Sequence, residues 1–150
     1  MTSGTQTLFT YTVAANLAAG VSLENQTNGR DIIRAYSGTT FTYYGTDGTT
    51  AGSNLLFTYI VAANVAGGVA SIDRIGTLDV FLESSGTSYT LVATDGTTAG
   101  TRTLFSYSGA ANLPGGVSLI NQTNGRDIFN AYSGTTFNYY GTDEIGRAHV

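Results

Sequence analysis

The sequence predicts an all-β protein built from tandem, four-stranded repeats. Three observations carry that expectation. The chain repeats every 48 residues without a gap, its composition favours pleated strands, and turn-forming pairs recur at matching places in each repeat.

The repeat comes first. Leu8-Phe9, Leu56-Phe57 and Leu104-Phe105 stand 48 residues apart, as do Gly20-Val21, Gly68-Val69 and Gly116-Val117. Residues 21–47 match 117–143 at 23 of 27 positions, whereas 69–95 match the first segment at only 8 of 27. Two similar units therefore flank a divergent one, as a duplicated pair of units or a misassembled read would give. The units run 1–48, 49–96 and 97–143, and residues 144–150 break the pattern.

Each unit reads as four short strands. The first, 8–13, alternates Phe9, Tyr11 and Val13 with Leu8, Thr10 and Thr12, the period of two that places side chains on opposite faces. A loop over 14–20 leads to a second strand at 21–25. The third strand is 31–36, with equivalents at 79–83 and 127–132. The fourth is 40–44, with equivalents at 88–92 and 136–140. Asn28-Gly29 and Asn124-Gly125 predict type I′ hairpin turns, because asparagine and glycine tolerate positive φ. Ser37-Gly38, Ser85-Gly86 and Ser133-Gly134 mark the next reversal. Four strands with short turns in a unit of this length match one propeller blade, and the alternative is a rung of a β-solenoid.

Composition narrows the function classes. The 150 residues include 25 threonines and 20 glycines, with no cysteine, tryptophan or lysine, one proline and one histidine. Disulfides, thiolate metal sites and cysteine nucleophiles are excluded. A net charge of −4 with arginine as the only strong base argues against a nucleic-acid surface. No apolar stretch has the length of a membrane span.

The segment Thr46-Asp47-Gly48-Thr49-Thr50-Ala51-Gly52-Ser53 recurs almost unchanged as Thr94-Asp95-Gly96-Thr97-Thr98-Ala99-Gly100-Thr101. Aspartate there can accept hydrogen bonds from amides one or two residues on, and Gly48, Gly52, Gly96 and Gly100 supply turn conformations. The motif resembles the repeat family named for its Glu-Leu-Trp-x-x-Asp-Gly-Thr signature. That resemblance implies a β-propeller, in a large secreted or surface bacterial protein, with no catalytic residues to transfer. The chain departs from the signature in having Tyr44, Val92 and Tyr140 near the tryptophan position, and no Glu-Leu pair before it.

Searching for chemistry returns little. The only histidine, His149, lies in the tail of 144–150, which resembles a translated sequencing adaptor and is expected to be non-native, the alternative being a genuine terminal cap. No serine triad or phosphate loop can be assembled. Asp73, Asp79 and Glu83 gather in the middle unit, but Asp79 aligns with Asp31 and Asp127 and reads as the residue that opens a strand rather than a catalytic acid. Calcium is the better-motivated ligand, through Asp47, Asp95 and Asp143 beside threonine hydroxyls and turn carbonyls; no other cofactor is expected. Of Tyr43-Tyr44 and Tyr139-Tyr140, one of each pair at most is exposed, and their loss as Leu91-Val92 points to core packing. Arg30 and Arg126 read as solvated turn charges. Asn25-Gln26-Thr27 and Asn121-Gln122-Thr123 match the glycosylation sequon, which matters only in a eukaryotic secretory setting.

The expectation is thus a non-enzymatic binding or display module from a longer, environmental repeat protein, extracellular or at the cell surface. Its partners would be other repeats, a second copy at open sheet edges, or a protein or glycan ligand. The alternatives are a filament or solenoid segment, and a non-catalytic part of an enzyme whose active site lies elsewhere.

Overall fold

A computed structural model describes residues 5–123, 126–142 and 148–149. These residues form twelve strands and no helix. The first sheet holds β1 (Ala19–Thr27), β2 (Arg30–Ser37), β3 (Thr40–Thr46) and β4 (Asn54–Ile60) in that spatial order. The second holds β5 (Gly67–Ile75), β6 (Leu78–Ser85), β7 (Ser88–Thr94) and β8 (Arg102–Ser108). The third holds β9 (Gly115–Thr123), β10 (Arg126–Ser133), β11 (Thr136–Thr142) and the short β12 (Ala148–His149). All pairings are antiparallel. The chain is all-β, in tandem four-stranded antiparallel sheets.

The sheets are phased differently from the sequence units. The first two sheets take their fourth strand from beyond the Asp-Gly turn, so β4 and β8 lie across positions 48 and 96 from their partners β3 and β7. The predicted strand 8–13 forms no ladder. Its equivalents do, as β4 and β8, because β3 and β7 precede them. A strand holds its shape only beside a paired neighbour, and among the described residues no such strand precedes residue 8. The segment instead lies against the first sheet. Phe9 stacks on Tyr44 with ring centroids 4.2 Å apart. Thr50 Oγ1 donates to the Thr7 carbonyl at 2.9 Å, and Thr98 Oγ1 donates to the equivalent Leu55 carbonyl at 2.8 Å. Residues 6–12 therefore sit on the first sheet as β4 sits on the second.

The hairpin turns follow their chemistry. Asn28 and Gly29 both have positive φ, 52° and 72°, as a type I′ turn requires. The Asn124-Gly125 turn lies outside the described residues. A further device was not read from the sequence. The segments that lead into the three sheets carry Asn16, Asn64 and Asn112 at φ of 64–65°, a conformation asparagine tolerates better than most residues. Each link is then clamped to a Ser-Gly turn 23 residues on: Ala62 N donates to Ser85 Oγ and Ala110 N to Ser133 Oγ, both at 2.8 Å. Gly38, Gly86 and Gly134 donate to the carbonyls of Ala18, Ala66 and Pro114 at 2.7–2.8 Å. The Ser-Gly pairs thus fix the link between sheets as well as reversing the chain.

Two apolar clusters join the sheets face to face. Ile32, Tyr43 and Leu56 of the first sheet meet Val69 and Phe81 of the second. Ile75, Val80, Leu91 and Ala93 of the second meet Val117, Phe129 and Ala131 of the third. The middle sheet is covered on both faces, and its β6 and β7 carry the near-continuous apolar runs that such burial demands. That gives the divergence of the middle unit a physical basis. The outer faces are open: Val21 is 59% exposed where its equivalents Val69 and Val117 are 8%, and Tyr139 is 62% exposed where Tyr43 is 0%.

Candidate functional site

The Asp-Gly loops form the first candidate site. Asp95 Oδ1 accepts from Thr97 N at 2.8 Å and from Thr97 Oγ1 at 2.6 Å. Thr97 Oγ1 in turn accepts from Gly100 N at 2.9 Å, and Gly96 N donates to Thr94 Oγ1 at 3.1 Å. Thr101 Oγ1 donates to the Thr97 carbonyl and lies 2.7 Å from Thr94 Oγ1. The Asp47 loop repeats the same network through Thr46, Thr49, Gly52 and Ser53. The hydroxyl and amide of Thr49 hold the Asp47 carboxyl below its ordinary value. Such a lowered group adds stability above the ordinary carboxylate range, lost as pH falls through the lowered value.

Glycine at the end of each loop is a requirement of space. A Cβ on Gly100 would stand 2.0 Å from Asp95 Oδ1, and one on Gly52 would stand 2.0 Å from Asp47 Oδ1. Gly100→Ala is therefore expected to expel the Asp95 carboxylate and lose both Thr97 bonds, costing about 1–3 kcal/mol. Chemical denaturation of the variant measures this directly.

The Asp95 loop also reaches the first sheet, where Thr98 Oγ1 meets the Leu55 carbonyl and Gly96 meets Arg30. Arg30 Nη1 donates to the Gly52 carbonyl at 2.9 Å, and its aliphatic stem lies against Gly96. Arg30 is consequently half-buried and tied between two sheets, which corrects its reading as a solvated turn charge; Arg126 is exposed. Asp143 lies outside the described residues. Among the described residues no three of His, Cys, Asp and Glu gather as metal ligands.

A second polar site lies in the seam between the first two sheets. Asp79 is fully buried on β6. Its Oδ1 accepts from Arg74 Nε at 3.0 Å and, across the seam, from Asn25 Nδ2 at 2.9 Å. The Arg74 guanidinium also donates to the Gln26 carbonyl, and Thr27 Oγ1 donates to the Thr77 carbonyl at 2.5 Å. Burial raises the Asp79 carboxyl above its ordinary value, against the opposing pull of Arg74. Asp79 therefore acts as a structural tie between sheets.

Glu83, four residues along β6, is 7% exposed and its carboxyl is pushed up to about 7 by burial. Burial pushes the Tyr43 phenol up to about 12, with the Glu24 and Glu83 carboxylates adding and Arg34 opposing. Arg34 Nε lies 3.1 Å from Glu24 Oε1. The signal for Glu83 was present in the sequence: both outer units have alanine there, Ala35 and Ala131, and both are fully buried. Four strand residues set Asp79 and Glu83 roughly 13 Å apart, well beyond the about 5–9.5 Å of carboxyl pairs that hydrolyse glycosides.

The tyrosines divide as their faces dictate. Tyr43 stacks on Phe57 at 4.5 Å inside the seam, while Tyr139, its equivalent, stands on the open face of the third sheet.

No protein-family model matches the chain, and no curated protein is similar to it. Among solved structures it is similar to the crystal structure of an exo-β-1,3-galactanase from Phanerochaete chrysosporium with galactose. The TM-score is 0.39 and the identity 10%, over 91% of this chain and 36% of that one. The chain spans about a third of that protein's length.

Proposed function

We propose that this chain is a non-enzymatic β-repeat module, a binding and display scaffold within a larger secreted or surface protein, akin to the Glu-Leu-Trp-x-x-Asp-Gly-Thr repeats. One observation carries the reading. The recurring polar side chains are spent on the scaffold itself: Asp47 and Asp95 on their loops, Ser85 and Ser133 on the links, Asp79 on the seam. A surface rich in threonine, serine and asparagine around rigid sheets suits recognition by many weak, neutral hydrogen bonds.

The test is a panel of immobilised glycans and extracellular matrix proteins, run beside chromogenic glycosides. Saturable binding without turnover is expected. Hydrolysis of any glycoside by the pure chain would contradict the reading. The filament alternative draws support from a different observation, that the two end faces of the stack are both open and repeat the faces buried inside it.

A further inference from the structure

We propose that a second copy of this chain docks head to tail on the third sheet, with residues 6–12 of one copy completing the β11 edge of the other. The inference rests on the scaffold reading and names its partner. The register follows from the pairing already present inside the chain.

In the first sheet, β4 pairs with β3 through Thr40↔Ile60, Phe41↔Tyr59, Thr42↔Thr58 and Tyr43↔Phe57, and β8 pairs with β7 in the same way. In the third sheet, β12 reaches only Gly141 and Thr142. Among the described residues, Thr136 to Tyr140 have β10 on one side and no strand on the other. The sequence that would fill this edge is Leu8-Phe9-Thr10-Tyr11, identical to the Leu56-Phe57-Thr58-Tyr59 of β4. It forms no ladder of its own.

The faces agree as well as the edges. Phe137 and Tyr139, equivalents of Phe41 and Tyr43, are 55% and 62% exposed. On the first sheet the open face carries Val21 and Leu23, equivalents of Val117 and Leu119, which pack in the interface between the second and third sheets. Residues 6–12 need not leave their place to pair. They already sit on the first sheet as β4 sits on the second, so a third sheet arriving from another copy finds its missing strand pre-positioned. Phe9 would then lie between Tyr44 of its own copy and Tyr139 of the other. Such a contact is heterologous, so it propagates to a closed ring or an open filament according to the rotation per copy.

Glycines supply a selective probe. Inside the chain Gly45 admits the Gly96 carbonyl, which a Cβ would meet at 2.0 Å; its equivalent Gly141 has nothing within 4 Å among the described residues. In the docked pair, Gly141 of one copy would receive the Gly48 loop of the next. Gly141→Ala should therefore leave the single copy folded and block docking. Tyr11→Pro removes a ladder amide, because its equivalent Tyr59 stands in a hydrogen-bonded pair with Phe41, and it does so in a segment that has no ladder in the single copy.

The experiment is analytical ultracentrifugation of the full chain and these two variants over a hundredfold concentration range. The parent is expected to at least double its mass, and both variants to remain single with unchanged circular dichroism. Because the chain lacks cysteine, register is read by oxidising a Thr10→Cys, Asn138→Cys variant. It should crosslink between copies, whereas Thr10→Cys with Ser118→Cys, on the opposite edge of the third sheet, should not. A parent that stays single throughout would overturn the proposal and leave the scaffold reading standing. Association that survives both variants, or that crosslinks equally through Ser118, would also overturn it. Glycoside turnover by an associating chain would remove the scaffold reading alone.

Discussion

Gly45→Ala is expected to lower stability sharply, through the contact between the first two sheets. A Cβ there would meet the Gly96 carbonyl oxygen at 2.0 Å, its carbon at 2.8 Å and Leu56 Cδ2 at 3.1 Å. The first two obstacles are backbone, in a loop pinned by Gly96 N on Thr94 Oγ1 and by the Asp95–Thr97 bonds. Neither can turn aside as a flexible side chain would. Overpacking of this kind costs about 1–3 kcal/mol and at times more. In a chain of this size each kcal/mol lowers the melting temperature by about 2–4 °C. Gly141→Ala is the internal control, because the same substitution meets no described atom within 4 Å there. Thermal melts of the dilute variants should separate them by several degrees, and equal melting temperatures would contradict the close approach of the two sheets.

The second large effect is on pH dependence. Burial holds the Glu83 carboxyl at about 7 in the folded chain, against an ordinary value of 4.5. The unfolded chain therefore releases this proton first as pH rises. Stability from this group is intact below about pH 4.5, declines between there and pH 7, and is flat above. A shift of that size corresponds to a loss of up to about 3 kcal/mol. Glu83→Gln keeps the shape without the proton. The variant and parent should be nearly alike at pH 4, and the variant clearly more stable at pH 8. Urea denaturation across that range reads the difference, and parallel curves would contradict the burial of a titrating carboxyl at Glu83. Glu83→Ala, which copies Ala35 and Ala131, should behave in the same sense.

Much of this architecture was legible because each strand carries its own periodicity and each turn its own chemistry. The Asn28-Gly29 pair specifies positive φ at both positions, and the chain adopts it. The hydrogen bonds from Thr49 and Thr97 to Asp47 and Asp95 are those the Asp-Gly motif suggests. What stayed hidden was relational. A strand has no identity as first or fourth until a neighbour pairs with it, so the segment 54–60 could not be assigned to the sheet before it by sequence alone. The Asn25–Asp79 tie joins residues 54 apart, a separation that no local pattern reports. Arg30 was misread because solvation is the usual fate of an arginine beside a turn, and only the approach of Gly96 encloses it.

The links show a middle case. Asn16, Asn64 and Asn112 recur with the 48-residue period, as do Ser37, Ser85 and Ser133. Their spacing was visible, yet the clamp that joins them depends on the sheet folding back over its own link. Glu83 belongs with them, since a carboxylate where two repeats have alanine is an anomaly that repeat alignment exposes.

Amide hydrogen exchange of the dilute chain, resolved by segment, tests most directly the claim that the first two sheets are completed across the Asp-Gly turn and that the ends of the stack stay open. Strong protection is predicted over Asn54–Ile60 and Arg102–Ser108, together with rapid exchange over residues 6–12 despite the Leu-Phe-x-Tyr run that all three share. Equal protection of all three segments, or rapid exchange across β4 and β8, would contradict it.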